Sequence, residues 1–577
     1  MTDVKLTFQF KHRMLPNEAM EFTNPIKILT TTKVEEVPEI IESAEAYQKQ
    51  GYYVAGYVSY EAAEAMMPNV SFHQPKELPL IWFAVFEGYH QPTGNQATTY
   101  VSTEWNPDIN REQFNQSIDE IHRCIKQGIT YQVNYTFRLR TILEQIDREA
   151  WFYQLAEAQQ ANYAAFIQTE SHGIISASPE LFFAWEESLI ETRPMKGTAK
   201  RGKTYEQDQR QIASLKNSEK ERAENVMIVD LLRNDVARIA KTGSVKVPNL
   251  FTVETYPTVH QMTSTIQAKP KPNTKLWQVF QALFPCGSIT GAPKMSTMKK
   301  IYELETSPRE VYCGAIGVLM PEGKAVFNVP IRTVIYNRAT QEATYGVGGG
   351  VTWDSSAEGE FEETASKAKV LNKRTIPFQL LETMRVNAQT IDYEKEHKSR
   401  LLASAYYFQI PVTEQDVDTI FHKIKAETKY ERSVRLLVAQ DGSWSYQEKE
   451  KSPSRKDILR FSLAEKPVDA EDIFLYHKTT ERTVYKNRLI AGVDDTLLYN
   501  RSGKITEFTT GNLAYLKEGR WYTPPVQDGL LAGTYREFLL NEGKLEERSL
   551  PLDELNQVEE IAYFNSVRGW ILIENLK

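Results

Sequence analysis

The chain has 577 residues, of which 41% are hydrophobic and 25% are charged. This composition is typical of a folded protein and excludes a disordered one, while the length predicts more than one domain. Lys and Arg number 68 against 76 Asp and Glu, and the resulting net charge of −8 offers no general attraction for nucleic acid or anionic lipid.

The three cysteines, Cys124, Cys286 and Cys313, are far apart and show neither CxxC spacing nor a paired framework. This usage predicts a reducing compartment and indicates no disulfide or zinc site. The first residues lack the apolar core of a signal peptide, and the longest dense apolar run, residues 78–86, is shorter than the roughly 20 residues of a membrane span. We therefore expect a cytoplasmic protein with no membrane partner.

The first two thirds of the chain alternate between helical and strand patterns. Apolar residues at helical spacing over 114–125 predict a helix that Gly128 ends. Apolar and polar residues then alternate over 133–140, which predicts a half-buried strand. The same order recurs, so we expect a large mixed α/β domain over residues 1–370. A charged stretch at 367–374 marks a boundary near residue 375, with 371–377 as a linker and a second domain over 378–577.

Lys196 lies in the segment Thr192-Arg-Pro-Met-Lys-Gly-Thr198, between a proline and a glycine turn. A single lysine is usually a surface charge. If this lysine is partly desolvated, its pKa falls and the free amine becomes a nucleophile.

Two pairs of glutamates lie on predicted helices. Glu221 and Glu224 are three residues apart and so share one helix face, and Glu360 and Glu363, with Lys367, repeat this spacing. Oxygen ligands without His or Cys suit Mg²⁺, which often completes its shell with an anionic substrate. For either pair alone, solvated surface charge is the better-supported interpretation. The metal hypothesis therefore depends on the neighbouring motifs.

Two glycine-rich segments could contact a ligand. Gly287-Ser-Ile-Thr-Gly-Ala-Pro-Lys294 is a turn before a predicted helix, with Pro293 in the first turn, and such a turn presents backbone N–H groups to an anion. It lacks the Gly-Lys-Ser/Thr order of a nucleotide-binding loop. The second run, residues 346–350, is equally consistent with a bulged strand end.

Taken together, these segments resemble the chorismate-utilising enzymes. The resemblance is carried, in order, by residues 128–134, 178–180, 193–198, 221–235, 287–294, 312–317 and 348–351. It implies an α/β sandwich with the active site in a cleft between its layers, and Mg²⁺ that bridges Glu221, Glu224, Glu360 and Glu363 to the ring carboxylate of chorismate. The candidates for substrate binding are Thr198, Gly287, Thr290, Gly291, Lys294, Arg332, Gly348, Gly349 and Lys367. For Arg332 a structural ion pair is the alternative.

The residue at position 196 distinguishes between two reactions of the family. Anthranilate synthases usually carry alanine at this position, whereas aminodeoxychorismate synthases carry lysine. The implied mechanism is covalent: the amine adds to the ring as hydroxide leaves, and ammonia then displaces the lysine, with Glu180 as general acid or base. One position departs from the family, because Gln261 stands where relatives have histidine and His260 is one place earlier. Side chains alternate along a strand, so the role of this position stays open.

The source of the ammonia is not evident in the sequence. No cysteine occupies the Gly-x-Cys-x-Gly elbow of a class I glutaminase, and Cys286 belongs to the glycine-rich turn. A separate glutamine amidotransferase subunit is therefore the implied partner, and free ammonia is the alternative.

Residues 378–577 resemble the fold type IV pyridoxal-phosphate enzymes. The resemblance is carried by residues 382–385, 397–401, 478–482, 505–507, 511–512 and 529–536. It implies Lys478 as the catalytic lysine that carries the cofactor, Glu507 on the pyridine nitrogen, and Arg400 with the turn Gly533-Thr534 on the phosphate. Asn512 completes the cofactor-binding set.

The two resemblances together predict a bifunctional enzyme of folate-precursor biosynthesis. The first domain would convert chorismate and ammonia to 4-amino-4-deoxychorismate, and the second, a lyase, would release pyruvate to give 4-aminobenzoate. Residues alone separate lyases poorly from transaminases of this fold type. The alternatives are an anthranilate synthase fused to an aminotransferase, or to a non-catalytic dimerisation module. Because such domains commonly dimerise, a homodimer also stays open.

Overall fold

The computed structural model describes residues 4–92, 103–144, 146–372, 376–387, 389–449 and 460–573. The chain divides into two compact units, one of residues 1–200 and 212–375 and the other of residues 201–211 and 376–577. The boundary expected near residue 375 falls on positions 373–375, which lie outside the described residues. The second unit takes in a short segment, 201–211, that no motif of the sequence indicates.

Within its described residues, the first unit is built on two antiparallel sheets. Its strands are β1 (Lys5–Phe10), β2 (Met20–Thr23), β3 (Lys27–Thr31), β4 (Tyr53–Val58), β5 (Ile81–Phe86), β6 (Asn106–Pro107), β7 (Gln132–Ile142), β8 (Tyr163–Gln168), β9 (His172–Ser178), β10 (Leu181–Glu186), β11 (Leu189–Arg193), β12 (Met195–Lys200), β13 (Lys246–Thr255), β14 (Val259–Ala268), β15 (Gly291–Ala292), β16 (Ala315–Met320), β17 (Lys324–Asn328), β18 (Thr333–Asn337) and β19 (Glu342–Val351). One sheet has the order β15-β7-β19-β18-β9-β8-β1-β2 with β6 on β7, and the other has the order β12-β14-β11-β10-β17-β16-β4-β5-β3 with β13 on β14.

Eight helices precede residue 369 in the described part of the chain. They are α1 (Val37–Lys49), α2 (Arg111–Lys126), α3 (Arg148–Gln159), α4 (Tyr205–Asn217), α5 (Glu219–Ala237), α6 (Leu276–Leu283), α7 (Lys294–Leu304) and α8 (Ala357–Ala368). The helix predicted over 114–125 is confirmed as α2, and Gly128 follows it with φ +70°. Pro293 lies just before α7 rather than in its first turn.

The two sheets of the first unit pack face to face. The core between them takes Phe8 and Phe22 from one sheet and Trp82 and Ile316 from the other. Helices cover the outer faces, since two further cores pack α1 and α6 on one side and α2 and α3 on the other. The predicted α/β sandwich is therefore confirmed.

Strand β7 departs from the half-buried pattern that its sequence predicts. Thr136 and Arg138, expected to face solvent, are only 1% and 2% exposed. The Arg138 guanidinium lies 3.4 Å from a carboxylate oxygen of buried Glu305, and Arg309 binds the same carboxylate at 2.6 Å. Because the buried charges are paired, the strand can be covered on both faces.

The described residues of the second unit form a smaller and a larger sheet. The strands are β20 (Leu380–Asn387), β21 (Thr390–Ile391), β22 (Arg432–Val438), β23 (Trp444–Lys449), β24 (Phe461–Leu463), β25 (Asp495–Tyr499), β26 (Lys504–Phe508), β27 (Asn512–Lys517), β28 (Arg520–Thr523), β29 (Glu546–Glu547), β30 (Leu550–Pro551), β31 (Glu560–Asn565) and β32 (Gly569–Ile573); the helices are α9 (Glu394–Phe408), α10 (Glu414–Glu427), α11 (Thr483–Lys486) and α12 (Thr534–Asn541). The smaller sheet has the order β21-β20-β22-β23 and shares a core with α9 and α10. The larger runs β24-β25-β26-β27-β28-β29, with β30, β31 and β32 attached at its side.

Segment 201–211 is held within the second unit by its polar side chains. The Arg201 guanidinium lies 4.2 Å from the centre of the Tyr407 ring and donates to the Tyr407 carbonyl at 2.8 Å. The Lys203 carbonyl lies 3.1 Å from Nε2 of His477. This segment therefore supports the residue next to Lys478.

Among the described residues, no helix combines the length and the apolar character needed to span a bilayer.

Candidate active sites

The first site is a cavity of about 250 Å³ in the first unit. Strand β12 brings Lys196 to its wall, α5 brings Glu221 and Glu224, and α8 brings Glu360 and Glu363. Thus residues more than 160 positions apart in the sequence line one cavity. The three-residue spacing of each glutamate pair, expected from the sequence, turns both members of the pair toward it.

Lys196 is partly buried, and its side chain is 17% exposed. Its Nζ lies 3.1 Å from Oε2 of Glu224, and its backbone carbonyl accepts a hydrogen bond of 3.0 Å from Asn225. Asn225 in turn accepts from Ser264 of β14 at 2.6 Å. The amine is thus directed into the acidic cavity by a strand that is fixed on both sides.

Glu180 also lines the cavity and is 3% exposed. Ser288 Oγ donates to its Oε1 at 2.6 Å. Burial raises the pKa of Glu180 from 4.5 to about 7, while the Ser288 hydrogen bond and the charges of Arg332 and Lys196 hold it from rising further. A carboxyl group with such a pKa can both give and take a proton near neutral pH.

The four glutamates share the cavity wall but do not form a closed metal cluster. The pKa of Glu221 is raised by burial and then by the charge of neighbouring Glu224. Glu363 has a positive partner instead, because Lys367 lies 2.8 Å from it. Among the described residues, no three His, Cys, Asp or Glu side chains are grouped closely enough to hold a metal ion by themselves. The oxygen donors nevertheless suit Mg²⁺, because this ion is usually held by one or two carboxylates together with substrate oxygens and water.

The candidates for substrate binding fall into two groups. Thr198, Arg332, Gly348, Gly349 and Lys367 line the cavity. Gly287, Thr290, Gly291 and Lys294 do not belong to its described lining, to which the same turn contributes Ser288 and Ile289 instead. Lys294 is turned away because its Nζ lies 3.1 Å from Asp235 and donates to the Leu283 carbonyl at 3.0 Å.

The glycine run lies within β19 and is not a bulged strand end, since residues 342–351 pair with β7 without a break. Its glycines let polar side chains approach the backbone. A Cβ on Gly349 would lie 2.8 Å from Glu360 Oε2, and a Cβ on Gly350 would lie 2.6 Å from Lys196 Nζ. The absence of side chains at Gly349 and Gly350 thus leaves room for Glu360 and Lys196.

The side chains of Gln261 and His260 point to opposite faces of strand β14. Gln261 lines the cavity, accepts a hydrogen bond from Thr198 at 3.1 Å and donates to the Gly197 carbonyl at 3.0 Å. His260 is fully buried, with Nδ1 3.1 Å from Thr255 Oγ1. Gln261 thus stabilises the irregular part of β12 that follows Lys196.

Gln132 lies in the segment 128–134, which resembles the chorismate-utilising enzymes, and no role is predicted for it from the sequence. It is fully buried, and neither atom of its amide has a hydrogen-bond partner among the described residues. The Cβ position of Gly350 lies 2.4 Å from its Nε2 and 2.6 Å from Lys196 Nζ, so the amide and the amine are close neighbours. Gln132 is one of several polar residues that alternate with apolar ones along β7, so the sequence gives no signal that distinguishes it.

The second site is a cavity of about 730 Å³ in the second unit. All six residues expected to bind the cofactor line it: Arg400, Lys478, Glu507, Asn512, Gly533 and Thr534. Burial, and then the charge of Arg400, lower the pKa of Lys478 to about 7. A lysine with this pKa is partly an uncharged nucleophile at neutral pH.

Glu507 is 3% exposed and is held from two sides. The Tyr485 hydroxyl donates to its Oε1 at 2.9 Å and the Leu531 amide donates to the same oxygen at 3.1 Å. Burial raises its pKa to about 8, so it carries a proton at neutral pH in this environment.

Arg400 faces the turn before α12. Its guanidinium binds both oxygens of Glu382, at 2.9 and 2.6 Å, and donates to the Ala532 carbonyl at 3.2 Å. Gly533 follows, where a Cβ would lie 2.0 Å from Asn512 Oδ1. An arginine beside a glycine turn at a helix N-terminus is a cradle for a phosphate, which fits the expected cofactor.

The comparisons with known proteins match each part of the chain to a family model. Residues 7–373 match the family model of the chorismate binding enzymes, and residues 379–576 match that of amino-transferase class IV. The fold and the first site define a chorismate-binding enzyme, and the chain belongs to that family.

Individual relatives match about half of the chain. Aminodeoxychorismate synthase component 1 of Escherichia coli is 39% identical over 274 residues, which are 48% of this chain and 60% of that protein. Anthranilate synthase component 1 of Aquifex aeolicus is 36% identical over 269 residues, 47% of this chain and 54% of that protein. The chain thus spans about 60% of the length of the E. coli relative that it matches.

A solved structure shares the fold of the first unit. Anthranilate synthase component I of Streptococcus pneumoniae has a TM-score of 0.52 at 24% identity, and the match covers 65% of this chain and 91% of that one. At this identity the likeness concerns the fold alone.

Proposed function

We propose that the chain is a bifunctional enzyme. Its first domain converts chorismate and ammonia to 4-amino-4-deoxychorismate, and its second domain converts that product to 4-aminobenzoate and pyruvate. The observation that carries the proposal is the partly buried amine of Lys196, 3.1 Å from Glu224 in a cavity lined with carboxylates. The likeness to aminodeoxychorismate synthases supports this choice over anthranilate synthesis.

In the first domain, Lys196 acts as the nucleophile. Its amine adds to the ring of chorismate, the ring hydroxyl leaves as water after Glu180 gives it a proton, and ammonia then displaces the lysine. The pKa of Glu180, about 7, suits a group that gives a proton in one step and recovers it in the next. Arg332, which is half-buried and lines the same cavity as Glu180, is suited to a substrate carboxylate.

Glu221, Glu224, Glu360 and Glu363 would hold Mg²⁺ together with the ring carboxylate of the substrate. The ion would supply positive charge to an anionic substrate in a cavity whose own wall is acidic. Lys367, bound to Glu363 and to the Gly348 carbonyl at 2.8 Å, is placed to keep one carboxylate oriented.

In the second domain, pyridoxal phosphate would supply an electron sink when bound. Arg400 and the N-terminus of α12 would hold its phosphate. Glu507, with a pKa of about 8, would keep a proton at the pyridine nitrogen. Lys478, with a pKa of about 7, would take and return a proton at Nζ during the release of pyruvate.

The ammonia would come from a separate glutamine amidotransferase subunit, as the likeness to a synthase component supports. Such a partner predicts that glutamine supports the reaction only when the second subunit is added. Ammonium salts would support it without that subunit.

The product from chorismate and ¹⁵N-ammonium tests the proposal. Because 2- and 4-aminobenzoate have the same mass, they are separated by chromatography before detection. We expect labelled 4-aminobenzoate and pyruvate from the pyridoxal-phosphate-loaded enzyme, and labelled 4-amino-4-deoxychorismate after the cofactor is removed. Formation of 2-aminobenzoate would refute the assignment.

Lys196→Ala separates the two reactions. It should abolish amination at the hydroxyl-bearing ring carbon while the lyase remains active on supplied 4-amino-4-deoxychorismate, because Lys196 and Lys478 line different cavities. Lys200→Ala is the matched control, since Lys200 is exposed on the same strand. Amination that survives intact in Lys196→Ala would rule out the covalent route.

A further inference from the structure

The cavity of the second unit carries more positive charge than the cofactor uses. Glu507 is the one acidic residue in its described lining, against several Lys and Arg side chains. Lys478 and Arg400 are accounted for by the cofactor, and Arg482 lies 4.0 Å from the Tyr485 ring centre. Four further cationic side chains of the lining have no assigned role: Arg435, Lys449, Lys486 and Arg568. An uncompensated cationic wall in a ligand cavity indicates an anionic ligand.

Arg435 is the most informative of these residues because of its place in the strand. Its neighbours in β22, Val434 and Leu436, are fully buried in the core, so Arg435 faces the opposite way, into the cavity. Its Nε is buried and has no hydrogen-bond partner in the described part of the chain. The residues opposite it in the sheet, Thr383 and Gln447, carry no charge. A buried guanidinium N–H without an acceptor is costly, and a ligand carboxylate would relieve that cost.

Strand β20 relates Arg435 to the catalytic lysine. The Leu381 amide donates to the Lys478 carbonyl at 2.9 Å, and Thr383, two residues further along the same face, stands opposite Arg435. Lys478 lies along one edge of β20 and Arg435 along the other, so two residues of strand, roughly 7 Å, and two inter-strand spacings, roughly 10 Å, separate their backbones. Both side chains are long and line one cavity, and they leave room between them for a ring substrate whose amine reaches Lys478 while a carboxylate projects from the opposite ring carbon.

Arg568 approaches the cavity from the larger sheet. It lies in the turn between β31 and β32, where Asn565 Oδ1 accepts from its backbone amide at 2.7 Å, and its guanidinium is 5.8 Å from the Tyr563 ring centre. The turn is thus fixed while the guanidinium makes no ion pair with any described carboxylate. Two guanidinium groups from two sheets therefore line one cavity.

We propose that Arg435 and Arg568 bind the two carboxylates of a cyclic amino-dicarboxylate, and that this pair selects the lyase substrate over simple amino acids. An α-amino acid carries its carboxylate on the carbon that bears the amine, so it would not reach a cation one ring away from Lys478. The inference rests on the proposed function of the second domain and names its specificity residues.

Ligand binding to the full-length, pyridoxal-phosphate-loaded protein tests this pair. The probe is 3-(1-carboxyvinyloxy)benzoate, which has both carboxylates and no amine and therefore cannot react, and 3-ethoxybenzoate is the comparison with the ring carboxylate alone. We expect Arg435→Leu and Arg568→Leu each to raise the Kd of the dicarboxylate about 10- to 100-fold, as for the loss of a charged hydrogen bond. Arg432→Leu is the matched control, because Arg432 lies on the same strand beside Tyr430 and outside the cavity lining.

The absorbance of the bound cofactor reports whether each variant is correctly folded and loaded. If Arg435→Leu does not bind the cofactor, the dicarboxylate Kd is measured in Arg435→Lys and in the wild type instead. The inference then requires that the wild type bind the dicarboxylate at least tenfold more tightly than the monocarboxylate. An unchanged Kd in the Arg435 and Arg568 variants, or an equal loss in Arg432→Leu, would overturn the inference. Pyruvate release by the wild type is measured separately, so a failure of the lyase reaction is distinguished from a failure of this binding site.

Discussion

Replacing Glu180 by glutamine removes a charge from the first cavity with little change of shape. The carboxyl group is 3% exposed and accepts a 2.6 Å hydrogen bond from Ser288. A glutamine oxygen can accept the same bond. The variant therefore isolates what ionisation of this one buried group does to stability and to activity.

The size of the effect follows from the raised pKa of Glu180. A rise from 4.5 to about 7 corresponds to about 3 kcal/mol, at roughly 1.4 kcal/mol per pKa unit. Because the folded protein binds this proton more tightly than the unfolded chain, the ionised carboxylate destabilises the fold above pH 7. The penalty fades as the pH falls and is absent below 4.5. Glu180→Gln lacks it at every pH.

Urea unfolding followed by tryptophan fluorescence at pH 8.5 and pH 5 measures this difference. We expect the free energy of unfolding of Glu180→Gln to exceed that of the wild type by up to about 3 kcal/mol at pH 8.5 and by much less at pH 5. The first reaction should also slow by about 10²- to 10⁴-fold, as for the loss of a general acid. An equal stability difference at both pH values, or full activity, would refute the reasoning.

Two further predictions concern the backbone of the first site and the acid stability of the second. Gly350→Ala places a methyl group 2.6 Å from Lys196 Nζ, so amination should fall about 100-fold while lyase activity is unchanged. Gly88→Ala is the control, because a Cβ on Gly88 meets no other atom. A loss of amination below twofold in Gly350→Ala would contradict the prediction. Burial alone would raise the pKa of Glu382, but Arg400 and His397 lower it to about 2. The stabilisation from Glu382 is therefore complete above pH 4.5 and is lost as the pH falls toward 2. It amounts to about 3 kcal/mol, so urea titration at pH 6 should give Glu382→Gln a free energy of unfolding lower than that of the wild type by about this amount.

The sequence predicts features that depend on local periodicity. The spacing of Glu221 and Glu224 predicts one helix face, and both residues lie on α5 and line the cavity. The helix over 114–125 was predicted correctly because its apolar stripe and its terminal glycine are neighbours in sequence. The roles given to these glutamates remain proposals.

Features that depend on distant partners could not be predicted in this way. Arg138 reads as a solvent-facing residue because its partner Glu305 is far away in sequence. Lys294 reads as a ligand of an anion, yet its ammonium group is bound to Asp235. Gln132 is one of several polar residues of β7, and the sequence does not indicate that its amide lies beside Lys196. In each case the decisive contact is made only after folding.

Segment 201–211 has a consequence for how this polypeptide can be divided. A gene fragment that starts at codon 376 would encode the second unit without residues 201–211, in which Arg201 donates to the Tyr407 carbonyl and the Lys203 carbonyl accepts from Nε2 of His477. Since a carbonyl only accepts, the orphaned imidazole would lose the acceptor for its Nε2 proton, one residue before Lys478. The two units are therefore interleaved in sequence, and expression of the second unit alone would have to include residues 201–211.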